Sequence, residues 1–236
     1  MVARAIATEL SARVVSNPAN MSVRGAVIAV FGGILLAACS PKETLFEGFG
    51  DRTLRVVNRE ATRLDERGGV RLSARSGDGV AWVEGTDFRS GTIELDVRGR
   101  EEMSQLYVGV AFHRQDDSTY EAVFVRPFNF RIADPVRRQH AVQYVSLPQF
   151  DFAALREQFP EQFENPVHPS LVPTDWVRLR VVVDGGRIRI HVGPGNDATL
   201  EVRKLGQLDG GEVGLWVGNV SGGDFANLVI TPAKQP

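Results

Sequence analysis

The sequence predicts an all-β protein with the architecture of a jelly-roll β-sandwich. From residue 44 onward the dominant hydrophobic period is two, as expected for strands that bury one face. The alternating runs are short and are separated by Gly, Asp and Asn, which favour turns. Many short strands with almost no helical periodicity are typical of two antiparallel sheets packed face to face.

The candidate strands follow one another along the chain, and their alternation predicts which side chains enter the core. In the run 91–97, Ile93, Leu95 and Val97 share one face, so we expect them to be buried. The triplet 184–186 (Asp-Gly-Gly) between two alternating runs predicts a tight hairpin turn. The predicted strands are 54–57, 70–74, 80–83, 91–97, 106–113, 119–126, 140–147, 176–183, 187–192, 199–202, 211–217 and 224–230.

One short helix is predicted in an irregular insertion over residues 148–175. Asp151 is a good N-cap for a helix over 152–159, in which Phe152, Leu155 and Phe159 recur on one face. The insertion contains four phenylalanines, which we expect to be buried against the sandwich. They are Phe150, Phe152, Phe159 and Phe163.

The N-terminal segment has the features of a bacterial lipoprotein signal peptide. An apolar run from Gly25 to Leu36 follows Arg24 and leads through two alanines to Cys39, the only cysteine. The run is shorter than the roughly 20 residues of a membrane-spanning helix. A buried helix that ends in a free cysteine is the alternative. We therefore expect a leader over 1–38, a lipid on Cys39, a tether over 39–43, a domain over 44–231 and a tail over 232–236.

Two further expectations follow from this segment. A start at Met21 would leave a short n-region before the apolar run, so translation is predicted to begin there rather than at Met1. Ser40 after the cysteine resembles the pattern of lipoproteins sent to the outer membrane, which predicts a lipid-anchored protein of the bacterial cell envelope.

Charge and cysteine content exclude several classes of protein. The whole chain has a net charge of −2, and removal of the leader, with its three arginines and one glutamate, leaves −4. A nucleic-acid partner favours a basic domain, so none is expected. With one cysteine, the domain contains no internal disulfide and must be stabilised by its core.

The segment 107–146 is rich in the polar and aromatic residues that sugar sites use. Gly109 and Ala111 alternate between Tyr107 and His113, so small residues on that strand face predict a shallow groove. Flat rings pack on the C–H faces of sugars, and Arg, Asn and Gln bond hydroxyl groups. The predicted ligand-binding residues are Tyr107, His113, Tyr120, Arg126, Asn129, Arg138, His140, Gln143 and Tyr144.

The alternative reading of this segment is structural. In that case the arginines pair with nearby acids such as Asp116, Asp117 and Asp134, and His113 is a surface histidine with satisfied hydrogen bonds.

Several runs together resemble the concanavalin A-like lectin/glucanase superfamily. They are SGTIELDV (90–97), YVGVAFH (107–113), YEAVFVRPFN (120–129), GEVGLWVG (211–218) and GDFANLVI (223–230). The nearest relatives would be laminin-G-like domains and bacterial 3-keto-disaccharide hydrolase domains. The resemblance spans most of residues 44–231. It implies a jelly roll whose closing strand pairs beside the first strand.

The catalytic motif of the glucanases in this superfamily is broken here. That motif, Glu-x-Asp-x-x-Glu, begins at Glu94 and Asp96, but Gly99 occupies the third position, and Glu101 and Glu102 follow in a polar turn. We expect Glu94 and Asp96 to be polar-face residues.

If the protein is an enzyme, His113 or His140 is the candidate base. No cofactor is expected. The superfamily resemblance would allow calcium, to which Asp224 or Asp184 would contribute.

Three functions remain open from the sequence. The first is a carbohydrate-binding envelope lipoprotein, and the second is a hydrolase or lyase of modified glycosides. The third is a structural envelope protein whose groove contacts another protein.

Overall fold

In the computed structural model, residues 43–99 and 106–234 are described. The predicted leader, Cys39, the start at Met21 and the pair Glu101–Glu102 lie outside these ranges. The described residues form fifteen strands and two short α-helices. The strands are β1 (Glu43–Phe49), β2 (Arg52–Val57), β3 (Ala61–Leu64), β4 (Gly69–Leu72), β5 (Gly79–Val83), β6 (Gly91–Arg98), β7 (Val108–Phe112), β8 (Glu121–Val125), β9 (Val142–Ser146), β10 (Glu164–Asn165), β11 (Val177–Asp184), β12 (Arg187–Val192), β13 (Leu200–Arg203), β14 (Gly214–Val217) and β15 (Gly223–Pro232).

The strands form two antiparallel sheets. One sheet has eight strands in the order β1-β2-β5-β14-β7-β8-β9-β10. The other has seven strands in the order β13-β12-β11-β6-β15-β4-β3. The predicted all-β jelly-roll sandwich is therefore confirmed. Among the described residues, no helix has both the length and the apolar character needed to cross a membrane.

The seven-stranded sheet has one buried and one polar face. Along β6, Ile93, Leu95 and Val97 are buried, and their partners across β11 are buried as well, which confirms the predicted faces. In the β11–β12 hairpin Asp184 pairs with Arg187, so Gly185 and Gly186 form a two-residue turn. The alternation was readable from the sequence because each strand has one face in water.

The central strands of the eight-stranded sheet are buried on both faces. Every residue of β5, β7, β8 and β9 is buried. The inner face packs on the other sheet, and large side chains cover much of the outer face. Burial on two faces explains why polar residues on these strands do not mark a solvent-exposed face.

The insertion contains the predicted helix, and a second short helix lies before the insertion. Helix α2 (Phe152–Gln158) begins at Asp151, whose side chain accepts a 2.8 Å hydrogen bond from the Ala154 backbone N–H, as expected. Helix α1 (Pro135–Gln139) is similarly capped by Asp134 but, at five residues, is too short for a periodicity to reveal it.

The burial of the insertion's phenylalanines differs from the expectation at one position. Leu155 is buried, but Phe152 is 47% exposed, so the prediction that Phe152 is buried is wrong. It lies in the first turn of α2, and its ring borders an open cleft.

Two features of the topology also differ from expectation. The closing strand β15 pairs with β4 and β6, whereas the first strand β1 pairs with β2 in the other sheet. The expected pairing of closing and first strands is therefore wrong. Strands β1, β3 and β10 were not predicted, because edge strands with few buried residues lack a clear alternation.

Candidate functional site

A cleft of about 490 Å³ opens on the outer face of the eight-stranded sheet. Gly109 of β7 lies between Trp216 of β14 and Phe124 of β8, so the three residues share this face. A Cβ at Gly109 would collide with the Val123 carbonyl oxygen, which explains the glycine. The groove predicted on the Gly109 face therefore corresponds to this cleft.

Aromatic residues form much of the cleft wall. Trp216 and Phe124 stack with centroids 4.7 Å apart, and the Trp216 indole N–H donates a 3.1 Å hydrogen bond to the Tyr120 hydroxyl. These three rings are nearly buried and form the floor, whereas Phe152 is exposed at the rim. The aromatic lining residues are Tyr107, Tyr120, Phe124, Phe152 and Trp216.

Polar groups border the same cleft. Burial raises the pKa of Tyr120, so its hydroxyl stays neutral and is available for hydrogen bonding. The remaining polar lining residues are Asp78, Asp117, Ser118, Arg126, Asp151 and Asn219.

The three carboxylates of the cleft have different environments. Asp117 accepts hydrogen bonds from the Trp82 indole at 3.1 Å and from Arg114 at 3.1 Å, and Asp151 caps α2. Asp78 keeps contact with solvent, but loss of hydration in the cleft wall raises the pKa of its carboxyl.

Arg126 is the most buried cation of the site. Its side chain donates to the His140 carbonyl oxygen at 2.7 Å and to the Gln143 side-chain oxygen at 2.6 Å. The guanidinium carbon lies 4.9 Å from the ring centroids of both Tyr107 and Phe124. Burial and, to a smaller extent, the charge of Arg156 lower the pKa of Arg126 to about 10.

A second, smaller cavity of about 160 Å³ adjoins the cleft, and we call it the basic pocket. Tyr107 and Arg126 line both cavities. The basic pocket is lined by Leu106, Tyr107, Arg126, Phe128, Asn129, Arg137, His140 and Arg156.

A buried carboxylate organises one side of the basic pocket. Glu164 is 3% exposed, and Arg156 donates to both of its oxygens, with distances from 2.9 to 3.2 Å. The Nδ1 atom of His140 lies 2.8 Å from Glu164. Burial lowers the pKa of His140, and the attraction of Glu164 offsets this only in part. The imidazole is therefore mainly neutral at pH 7.

Two residues predicted to bind ligand lie in a buried cluster between the sheets instead. His113 adopts a φ of 56° and is fully buried, with Nδ1 bonded to Glu121 and Nε2 2.9 Å from the Arg89 carbonyl oxygen. The Tyr144 hydroxyl donates to the other oxygen of Glu121 and accepts from the Leu205 backbone N–H at 3.0 Å. Neither residue lines the cleft or the basic pocket.

The other predicted ligand residues divide between the two cavities and the protein interior. Tyr107 and Arg126 line both cavities, Tyr120 lines the cleft, and Asn129 and His140 line the basic pocket.

Two predicted residues line neither cavity. Gln143 is fully buried beneath Arg126, and its Nε2 has no hydrogen-bond partner among the described residues. Arg138 donates two hydrogen bonds to the Ile132 carbonyl oxygen.

Several cleft residues were not identified from the sequence as ligand contacts. Among them are Asp78, Phe152, Trp216 and Asn219. The sequence places Trp216 in the Gly-rich run 211–218 and Phe152 directly after the helix cap Asp151. Phe152 was predicted to be buried, and no role was predicted for Trp216.

The carboxylates considered for the glucanase motif and for calcium lie on the seven-stranded sheet. Glu94 and Asp96 are on the outer face of β6, where Asp96 accepts from Arg67 at 2.8 Å and from Arg178 at 3.1 Å. They do not reach the cleft.

The side chain of Asp224 does not fit a calcium site. Its two oxygens accept hydrogen bonds from Arg71 and Arg98 at 2.6 to 3.1 Å, and these cations occupy the positions a metal would take. Asp184 is 3.4 Å from Arg189. In the two described ranges no three His, Cys, Asp or Glu residues group as metal ligands.

Comparison with known proteins identifies the fold. No protein-family model matches the chain. No curated protein sequence matches it either. Among solved structures, it is similar to the carbohydrate binding module CBM66 from Bacillus subtilis, with 14% identity, a TM-score of 0.50 and coverage of 80% of this chain and 95% of that one.

Two further structures show the same likeness. The κ-carrageenase of Pseudoalteromonas carrageenovora, solved with an oligotetrasaccharide of κ-carrageenan, has 12% identity, a TM-score of 0.50 and coverage of 81% and 96% of the two chains. A Bacillus subtilis protein of unknown function with a galectin-like fold has 13% identity, a TM-score of 0.50 and coverage of 74% and 87%. At these identities the comparisons establish the fold alone, a jelly-roll β-sandwich.

Proposed function

We propose that this protein is a carbohydrate-binding module that holds a saccharide in the cleft. The observation that carries the proposal is the cleft itself, with aromatic rings as floor and rim and with polar groups between them. Sugar rings present C–H faces that pack on aromatic rings, and their hydroxyl groups need planar hydrogen-bond partners. Asn219, Asp78 and Arg126 supply such partners. The similar fold of a carbohydrate binding module supports the same function.

The test is a binding titration in which Phe152 is changed. Full-length protein in detergent is titrated with a panel of neutral and acidic oligosaccharides, and tryptophan fluorescence reports binding because Trp216 lines the cleft. Phe152→Ala removes an exposed ring, so the fold is expected to persist while affinity falls about tenfold, or about 1.4 kcal/mol.

Leu45→Ala is the matched control for this variant. Leu45 is 66% exposed on β1 and does not line the cleft, so its replacement should leave affinity unchanged. Absence of binding to every saccharide, or equal affinity of Phe152→Ala and the parent protein, would refute the proposal. Absence of saccharide binding would favour a protein partner for the groove.

A hydrolase is the second candidate function, and the raised pKa of Asp78 favours it. Loss of hydration in the cleft wall raises the pKa of the Asp78 carboxyl, which is the direction expected of a general acid in glycoside hydrolysis. If the protein is a hydrolase, incubation with a bound oligosaccharide releases new reducing ends, and Asp78→Asn abolishes the release without loss of binding. Unchanged oligosaccharide after prolonged incubation would exclude hydrolysis of that substrate.

We also propose that the domain is lipid-anchored through Cys39 in a bacterial cell envelope. The support is the apolar run, the two alanines and the cysteine at the end of the leader. Cells that express the protein with a palmitate analogue should label it, and Cys39→Ser should remain unlabelled and unprocessed. Labelling of the serine variant would refute the anchor.

If translation starts at Met21, Met21→Leu should abolish expression whereas Met1→Leu should not.

A further inference from the structure

The basic pocket carries positive charge that the described residues do not neutralise. Arg156 is paired with Glu164, but Arg126 and Arg137 form no ion pair with a carboxylate in residues 43–99 and 106–234. Arg126 is only 8% exposed, and a buried ion without a counter-ion is costly. A cavity with this arrangement favours an anion over water or a neutral group.

We propose that the basic pocket is a subsite for the carboxylate or sulfate group of an acidic saccharide whose neighbouring rings occupy the cleft. The proposal rests on the carbohydrate-binding function proposed above and specifies its substrate class. Carboxylates and sulfates share planar or forked oxygen pairs, which guanidinium groups bind with two parallel hydrogen bonds.

The charged groups of the subsite are held in place before a ligand arrives. Arg126 is positioned by the His140 carbonyl oxygen and by Gln143, and it lies over two aromatic rings. Arg156 is held by both oxygens of Glu164. Side chains that are already ordered lose little conformational entropy on binding, so they contribute more of their interaction to affinity.

The location of the pocket connects it to the cleft. Tyr107 and Arg126 line both cavities, so a saccharide in the cleft reaches the guanidinium of Arg126 from one side. Arg137 and Asn129 line the basic pocket but not the cleft. A charged substituent on one sugar of the chain would therefore meet Arg126, which borders both cavities, and Arg137, which borders the basic pocket.

Chemistry distinguishes this subsite from a site for neutral sugars. Asn, Gln and Asp side chains can form the hydrogen bonds that sugar hydroxyl groups need. A site for neutral sugars therefore does not require the desolvation of a buried cation. Three arginines around a cavity of about 160 Å³, with one buried carboxylate among them, repel one another until an anion enters. This electrostatic cost explains why the pocket would discriminate acidic from neutral saccharides.

The test compares matched pairs of saccharides that differ only in charge. Affinity is measured for an oligogalacturonate and its methyl ester, and for a sulfated galactan oligosaccharide and its desulfated form. The acidic member of at least one pair is expected to bind about tenfold more tightly. The pair that shows the difference identifies the carboxylate or the sulfate as the recognised group.

Arg137→Gln is the informative variant because Arg137 is exposed and outside the cleft. It should reduce affinity for the acidic saccharide about fivefold and leave affinity for the neutral partner unchanged. The matched control is Arg187→Gln, since Arg187 is 74% exposed on the seven-stranded sheet and should affect neither ligand. Raising the salt concentration should weaken acidic binding in the parent protein more than in Arg137→Gln.

The outcomes separate this inference from the proposed function. Equal affinity for charged and neutral members of both pairs, with a loss of binding in Phe152→Ala, would overturn the acidic subsite and leave the carbohydrate-binding cleft intact. Equal losses in Arg137→Gln and Arg187→Gln would also overturn it, because the effect would then come from net charge alone. Binding of no saccharide would refute the proposed function itself.

Discussion

Two buried charges, Asp224 on one sheet and Arg126 beside the other, are satisfied in different ways. On the seven-stranded sheet Asp224 is 1% exposed, and Arg71 and Arg98 satisfy both of its oxygens. Next to the eight-stranded sheet Arg126 is 8% exposed, and it donates hydrogen bonds to uncharged oxygens of His140 and Gln143. The first charge is neutralised by the fold, whereas the second has no carboxylate ion pair among the described residues.

This difference separates structural arginines from candidate binding arginines. Both kinds lie on strands or next to them, and both are scattered along a chain that is rich in arginine relative to lysine. What distinguishes them is whether a carboxylate lies within reach. A buried cation that has no carboxylate partner and also lines a cavity, as Arg126 does, is a better indicator of a binding site than a cluster of polar residue types in the sequence.

The largest expected effect on stability comes from removal of Asp224, the buried charge that the fold neutralises. Asp224→Ala removes the acceptor of two guanidiniums, so we expect the free energy of unfolding to fall by about 2–3 kcal/mol, below the value for a fully buried pair because both arginines keep contact with water. Urea denaturation followed by circular dichroism measures the loss. Glu201→Ala, which removes the exposed pair with Arg187, is the control and should cost less than about 0.5 kcal/mol. Equal losses would contradict the structural role of Asp224.

The second effect is the acid dependence of stability. Burial raises the pKa of the Asp224 carboxyl, but the hydrogen bonds from Arg71 and Arg98 outweigh it and lower the pKa below its ordinary value. A lowered pKa in the folded state stabilises the protein above the unfolded-state pKa, and this contribution is lost as pH falls through the folded-state pKa. The free energy of unfolding should therefore decrease on acidification below about pH 4. Asp224→Asn should show a shallower decrease, and an unchanged pH profile would contradict the assignment.

The smallest effect concerns the cation that lacks a carboxylate. Arg126→Met removes a charge whose burial is already unfavourable, as its pKa of about 10 indicates, so relief of desolvation offsets the lost hydrogen bonds. We expect the free energy of unfolding to change by less than about 1 kcal/mol in the same urea experiment. A loss as large as that of Asp224→Ala would show that Arg126 stabilises the fold, and the contrast between the two sheets would disappear.

Much of the fold was predictable because its signals are local. The alternation in β6, β11 and β12 identifies strands and faces, since each has one face in water. The Asp151 cap and the Gly185-Gly186 turn were readable for the same reason, because each depends on a few consecutive residues. The pairing of the closing strand was not, because it depends on contacts between distant parts of the chain.

The candidate site was predictable only in part. Tyr107, Tyr120 and Arg126 were identified from residue type and alternation, and they do line the cleft. His113 and Tyr144 were equally plausible from residue type, yet they belong to a buried cluster around Glu121. The positive φ of His113 directs it away from the groove, and alternation cannot anticipate such a residue.

The sequence by itself determined the class of fold, the faces of the half-buried strands and the helix at Asp151, because these follow from hydrophobic period and local hydrogen bonding. The tertiary structure alone decided which polar residues meet. It brought Phe152 and Asn219 to a cleft floored by Trp216, and it left Arg126 without a carboxylate partner among the described residues. The physical reason is that binding groups are assembled across strands that are neighbours in space but far apart in the chain, whereas hydrophobic period reports only on neighbours in sequence.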